Sequence, residues 1–192
     1  MGMINMNNIL IFDKKDMEYN IDKDTNIYHF SINSSSNILI NIVKEGVTLN
    51  YYYNNINYDD NSFNLNIKHM VSNTYSNVFN HGVNVCSNKL KYKVDSIVLK
   101  DSYKCKCIQD SKIINLGDGN STIWPNLLID NYDVVAEHAA YIGKFNDSDL
   151  FYLMSRGISK NSAYKLLLKG FLVNNDIEGI DDFIREIDRM EV

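Results

Sequence analysis

Ile38-Leu39-Ile40-Asn41-Ile42-Val43 is followed, after Lys44-Glu45-Gly46, by Val47-Thr48-Leu49-Asn50-Tyr51-Tyr52-Tyr53. Large apolar residues recur at every second position, and side chains of a strand alternate between its two faces, so both runs read as strands. Working outward, Ile9-Leu10-Ile11-Phe12, Phe63-Asn64-Leu65-Asn66-Ile67 and Lys93-Val94-Asp95-Ser96-Ile97-Val98-Leu99 have the same character. Clusters of Asn, Asp, Ser and Gly separate them. Short strands with this punctuation predict an all-β sandwich, a barrel or a β-solenoid, and the residues leave the three open. A solenoid requires a repeat, and the spacing between runs is only loosely regular.

After Gly143 the period changes from two to between three and four. Asp147-Ser148 is an N-cap in front of Leu150-Phe151-Tyr152-Leu153-Met154, and Gly157 follows as a stop. Ser159 caps a second helix through Ala163, Leu166, Leu167 and Leu168, ended by Gly170. A third, amphipathic helix carries Ile180, Phe183, Ile184 and Ile187 on one stripe with charged residues between. The expectation is a β core over residues 1–143 and a helical C-terminal region over 144–192, whose apolar stripes need the β core or a partner to cover them.

Composition narrows the function classes. The 192 residues include 45% hydrophobic and 22% charged side chains, enough for one packed domain. With 19 Lys and Arg against 24 Asp and Glu the net charge is −5, and no basic run tracks a phosphate backbone, so nucleic acid is not the expected partner. The sequence predicts neither a membrane span nor a secretory leader, and three cysteines do not make a disulfide framework; a cytoplasmic protein with free thiols is expected. A single Pro stands beside abundant Asn, a residue that tolerates left-handed backbone and makes tight turns by itself.

The polar residues able to carry chemistry are His29, His69, His81, His138, Glu137, Cys86, Cys105 and Cys107. Phosphate-loop, nucleophile-elbow, zincin and paired Cys-x-x-Cys signatures are lacking in the sequence. Cys105-Lys106-Cys107 lies in a segment of strand character, which puts both sulfurs on one face, either as buried small hydrophobes or within reach of one soft metal. His81 and Cys86, an odd number of positions apart, fall on opposite faces of a strand. Glu137 and His138 also point to opposite faces, and taken alone His138 reads as a buried, hydrogen-bonded structural histidine. Trp124-Pro125 reads as a packing and turning element at a strand end.

A longer string adds to this reading. Trp124-Pro125-Asn126-Leu127-Leu128-Ile129, then Asp133-Val134-Val135-Ala136-Glu137-His138-Ala139-Ala140-Tyr141-Ile142-Gly143, then Asp149-Leu150-Phe151-Tyr152-Leu153-Met154-Ser155-Arg156-Gly157-Ile158-Ser159, and finally Lys169-Gly170-Phe171-Leu172 resemble the C-terminal signature of the SufB/SufD family of iron–sulfur cluster assembly proteins. The resemblance covers roughly residues 94–173 and rests on many ordered matches rather than one short motif. It implies a mainly β fold, a right-handed parallel β-helix core with a small C-terminal helical region. It also implies a non-catalytic scaffold that binds a SufC-like ABC ATPase, pairs as a homodimer or a SufB/SufD-type heterodimer through the β-helix, and helps build or pass iron–sulfur clusters to apoprotein acceptors. No permanent cofactor is implied, only a transient cluster or iron.

Carried over by position, His138 falls on the family's His, Glu137 resembles the SufB version, and Ala139 stands where a second Glu follows. The SufB-type Cys before Asp-Ser is replaced by Gln109 ahead of Asp110-Ser111, which leaves Cys107, two residues earlier, as a substitute. The resemblance thus points to His138, Cys107, Glu137 and Cys105 as cluster or iron ligands, His138 and Cys107 foremost. The ATPase-docking surface it implies comprises Leu150, Phe151, Tyr152, Ser155, Arg156, Gly157, Leu167, Gly170 and Phe171. Two other readings stand beside it: a structural paralogue that binds the ATPase without cluster chemistry, motivated by Gln109, and a β-solenoid enzyme acting on polysaccharide.

Overall fold

A computed structural model describes residues 6–173 and 177–191. Strands β1 (Asn7–Phe12), β3 (Thr25–Ile32), β5 (Thr48–Asn57), β7 (Tyr75–Asn84), β9 (Cys105–Asn115) and β11 (Val134–Gly143) line up in that order in one sheet. Strands β2 (Asp16–Ile21), β4 (Ser36–Ile42), β6 (Asn61–His69), β8 (Lys89–Val98) and β10 (Asn120–Ile129) form the other. Every pairing is parallel. Each turn of chain therefore adds one strand to each sheet, which is a parallel β-solenoid of about 4 turns and selects one of the three all-β alternatives.

The register explains why the repeat is faint in the sequence. Thr25 pairs with Leu49, Leu49 with Ser76, Ser76 with Cys107 and Cys107 with Ala136, so successive turns take 24, 27, 31 and 29 residues. The strand columns repeat while the connecting loops do not. Inward columns hold Ile27, Leu49, Tyr51, Ile40, Leu65, Ile67 and Val94, all fully buried between the sheets. At the centre the rings of Tyr53 and Phe63, one from each sheet, stack with centroids 3.6 Å apart.

Asparagine serves two structural purposes. On the outer face Asn26, Asn50 and Asn77 each donate from Nδ2 to the Oδ1 one turn below, on Asn8, Asn26 and Asn50, at 2.9, 2.9 and 2.8 Å. At the turns Asn33 and Asn73 take left-handed backbone with φ of 51° and 55°.

Trp124-Pro125 does not turn the chain: both sit in the middle of β10, at the edge of its sheet, where a residue without an N–H is tolerated. Helix α1 (Asp147–Ser155) is capped one residue earlier than the sequence suggests, by Asn146, whose Oδ1 accepts from the Ser148 N–H at 3.1 Å. Ser159 caps α2 (Lys160–Leu172) as expected, but Gly170 does not end it, and the helix runs two residues further. Helix α3 (Asp181–Arg189) follows. Leu168, Leu172, Phe183, Ile187 and Met190 pack on Phe30, Ile56, Val83 and Ile114 of the six-stranded sheet. Two side-chain hydrogen bonds pin these helices to the strands and loops: Tyr58 Oη donates to Glu186 Oε1 at 2.7 Å, and His81 Nδ1 lies 2.8 Å from the Phe171 carbonyl.

Candidate functional site

Strand β9 alternates buried with more accessible residues, and its inward positions are Cys105, Cys107, Gln109, Ser111 and Ile113. Both sulfurs therefore face the interior, as the spacing predicts. Cys107 Sγ lies 3.3 Å from His69 Nε2, a contact that sequence reasoning did not assign. Its signal was present, since His69 continues the inward parity of Phe63, Leu65 and Ile67.

The network fixes the roles around His69. Thr74 Oγ1 donates to the Val71 carbonyl at 3.1 Å, so it accepts from His69 Nδ1–H at 2.8 Å. Nε2 is then the acceptor, facing Ser76 Oγ at 2.9 Å and the Cys107 thiol. Burial pushes the Cys107 thiol up to about 12 and draws His69 down to about 4. The pair is neutral at pH 7, and a soft metal bound there would have to displace the thiol proton. Cys105 is buried beside it, with Sγ 3.3 Å from Thr74 Oγ1.

His138 and Glu137 sit elsewhere. They lie on β11, the last strand, and both are exposed, so His138 is not the buried structural histidine that the isolated dipeptide suggests. In register, Ala136 pairs with Cys107 and His138 pairs with Gln109, so Cys107 and His138 stand one diagonal step apart on the inward side of neighbouring strands. Gln109 at the SufB-type cysteine position crosses the interior, donating from Nε2 to Ser96 Oγ at 2.8 Å and the Asn126 carbonyl at 3.1 Å. Among the described residues no three His, Cys, Asp or Glu side chains converge on one metal position.

Two surfaces stand out. The final turn of the solenoid is open, with Trp124, Leu128, Val135, Tyr141 and Ile142 between 42% and 52% exposed. Helix α1 is held mainly by buried Leu150 and leaves Phe151 at 74% and Tyr152 at 58% exposed, with Ser155, Arg156 and Gly157 beside them. Within the docking set implied by the resemblance, Leu150 and Phe171 point inward instead, Phe171 stacking on His81 with centroids 4.6 Å apart. Leu167 is half-buried and Gly170 exposed, and the set omits two exposed apolar neighbours, Met154 and Leu166.

Fold and surfaces together define a parallel β-solenoid with an open final turn and a helical flank. Residues 47–171 match the family profile described as SUF system FeS cluster assembly, SufBD core domain, and the chain belongs to that family. The match reaches well N-terminal of the string legible by eye. The chain is similar to the iron-sulfur cluster assembly protein SufD of Bacillus subtilis, 44% identical over 86 residues that make up 40% of this chain and 19% of that protein. It is similar to the SufBD family protein ML0594 of Mycobacterium leprae, 50% identical over 48 residues, 24% of this chain and 12% of that one. Against the SufBD family protein ycf24 of Galdieria sulphuraria it is 29% identical over 129 residues, 64% of this chain and 56% of the relative. The chain thus spans less than two thirds of each of these relatives. Among the described residues no helix is long and apolar enough to cross a membrane.

Proposed function

We propose that the chain is a non-catalytic scaffold subunit of a SUF-type assembly complex in the cytoplasm, docking a SufC-like ABC ATPase on α1 and on the part of α2 that carries Leu167 and Gly170. The observation that carries this is α1 itself: one buried anchor, Leu150, presents two exposed aromatic rings and Arg156, the side-chain types that dominate binding hot spots. The unpaired edge of β11, uncharged except at Glu137 and His138, offers a second copy or a SufB/SufD-type partner a strand to extend. His138 and Glu137 would then lie at the junction, with Cys107 and Cys105 behind them, where a transient cluster or iron is cargo awaiting an apoprotein acceptor. Phe151→Ala is expected to weaken binding of the ATPase about 30-fold or more, the usual loss on truncating a central aromatic anchor, without changing the melting temperature. Isothermal titration against the ATPase that co-purifies with the tagged chain measures it. Unchanged affinity removes α1 from the interface.

One observation favours a second reading, a structural paralogue without cluster chemistry. The SufB-type cysteine position is filled by a glutamine whose Nε2 already spends its two protons across the interior, on Ser96 Oγ and the Asn126 carbonyl. Anaerobic reconstitution with iron and sulfide separates the two. The scaffold reading expects charge-transfer absorption that is lost in Cys107→Ser and in His138→Ala; the same spectrum in wild type and both variants leaves the structural reading.

A further inference from the structure

The solenoid interior holds more polar atoms than its side chains satisfy. Among the described residues seven buried side-chain atoms have no protein partner: His29 Nε2, Ser36 Oγ, Asn55 Oδ1, Asn80 Oδ1, Tyr92 Oη, Gln109 Oε1 and Asp110 Oδ1. The first five, all on fully buried residues, form one group. His29 pairs in register with Tyr53 and Tyr53 with Asn80, Asn55 pairs with Gly82, and Ser36 pairs with Phe63. All therefore surround the Tyr53–Phe63 stack, with His29 edge-on to Tyr53 at 4.9 Å and Tyr92 edge-on to it at 5.5 Å. His29 and Ser36 lie toward the first turns; Asn55, Asn80 and Tyr92 lie toward the later ones.

The second group is built as a cradle. A β-carbon at Gly82 would collide with the Tyr92 hydroxyl, so glycine is what lets that hydroxyl reach β7. The amide nitrogens of the two asparagines are already engaged, Asn80 Nδ2 donating to Ser111 Oγ at 3.0 Å and Asn55 Nδ2 to the Ser31 carbonyl at 3.4 Å. Asn55 pairs with Gly82 and Asn80 precedes Gly82 by two on the same face, so two carbonyl acceptors flank the residue on which the Tyr92 hydroxyl rests. An anion has no proton to give the two carbonyls, and a metal ion would find no charged ligand among the three. A molecule that donates twice and accepts once satisfies them all.

We infer that the solenoid binds ordered internal water at this cradle, and a second water between His29 and Ser36, so that its aromatic centre is bracketed by hydrated sites. The test is Tyr92→Phe, which removes one oxygen and no packing. In the wild-type protein, long-lived water contacts to the backbone amides of Asn55 and Gly82 are expected in water-selective nuclear Overhauser spectra. In Tyr92→Phe they are lost, and the melting temperature falls by about 2–4 °C, the shift a lost buried hydrogen bond gives at this size. A hydroxyl unpaired in a dry core behaves in the opposite way. Absence of the water contacts in the wild type, or a melting temperature unchanged or raised by Tyr92→Phe, overturns the inference.

Discussion

Lowering the pH from 7 to 5 is expected to destabilise the fold by about 2 kcal/mol for each of His29 and His69. Both imidazoles are fully buried, and burial draws each down to about 4. The unfolded chain protonates these groups near 6.5, so between 6.5 and 4 it binds protons that the folded protein refuses. Stability from the two histidines is complete above the unfolded value, falls with pH across that window, and levels off below about 4. His81 is shifted downward by the same burial and adds a contribution of the same sign. Urea unfolding at pH 7 and pH 5 measures the effect, and His69→Gln should flatten part of the slope while lowering stability at pH 7. Equal unfolding free energies at the two pH values would show that the imidazoles take up protons as readily inside the fold as in the unfolded chain.

What the sequence made legible follows the physics of each signal. Strict alternation exposed β4, β5 and β6, because each carries a run of three large apolar residues on the inward face: Ile38, Ile40 and Ile42; Leu49, Tyr51 and Tyr53; Phe63, Leu65 and Ile67. Strands β3, β7 and β9 carry His29, Ser31, Ser76, Asn80, Gln109 and Ser111 on the inward face. A period-two pattern of polar residues looks like loop unless the partner strand is known. The open last turn defeated a different rule: His138 has inward parity, but parity implies burial only where a further turn or a partner covers the strand. The site was legible only in part, because Cys105 and Cys107 share a strand whereas His69 reaches Cys107 from the other sheet, a neighbour 38 residues away that only the coil register supplies. Caps and periodicity located the helices, and the likeness to SufB/SufD drew attention to β11, where the register makes His138 the cross-strand partner of Gln109.

Phe183→Ala is expected to cost about 3–5 kcal/mol, the range for emptying a fully buried aromatic site. The ring has no exposed surface and meets Phe30 of β3 edge-on at 4.9 Å, within a cluster that also takes Ile187 of α3, Leu168 and Leu172 of α2 and Ile56 of β5. It is the apolar rivet between the helices and the outer face of the sheet. The coils gain their stability from the turns above and below, so the loss should stay local at first. The expected result is a biphasic melt in which helical dichroism disappears before the β signal, with amide exchange in α3 and α2 faster by about 100-fold. Phe183→Leu, which refills most of the volume, should restore a single transition. If α1 docks an ATPase as proposed, Phe183→Ala should also lower affinity for it, because α1 packs on α2, whereas Phe151→Ala should lower affinity and leave the melt alone. If Phe183→Ala instead melts in one step at a lower temperature, helices and solenoid form a single cooperative unit, and a pull on α1 by a docked partner would be felt by every coil at once.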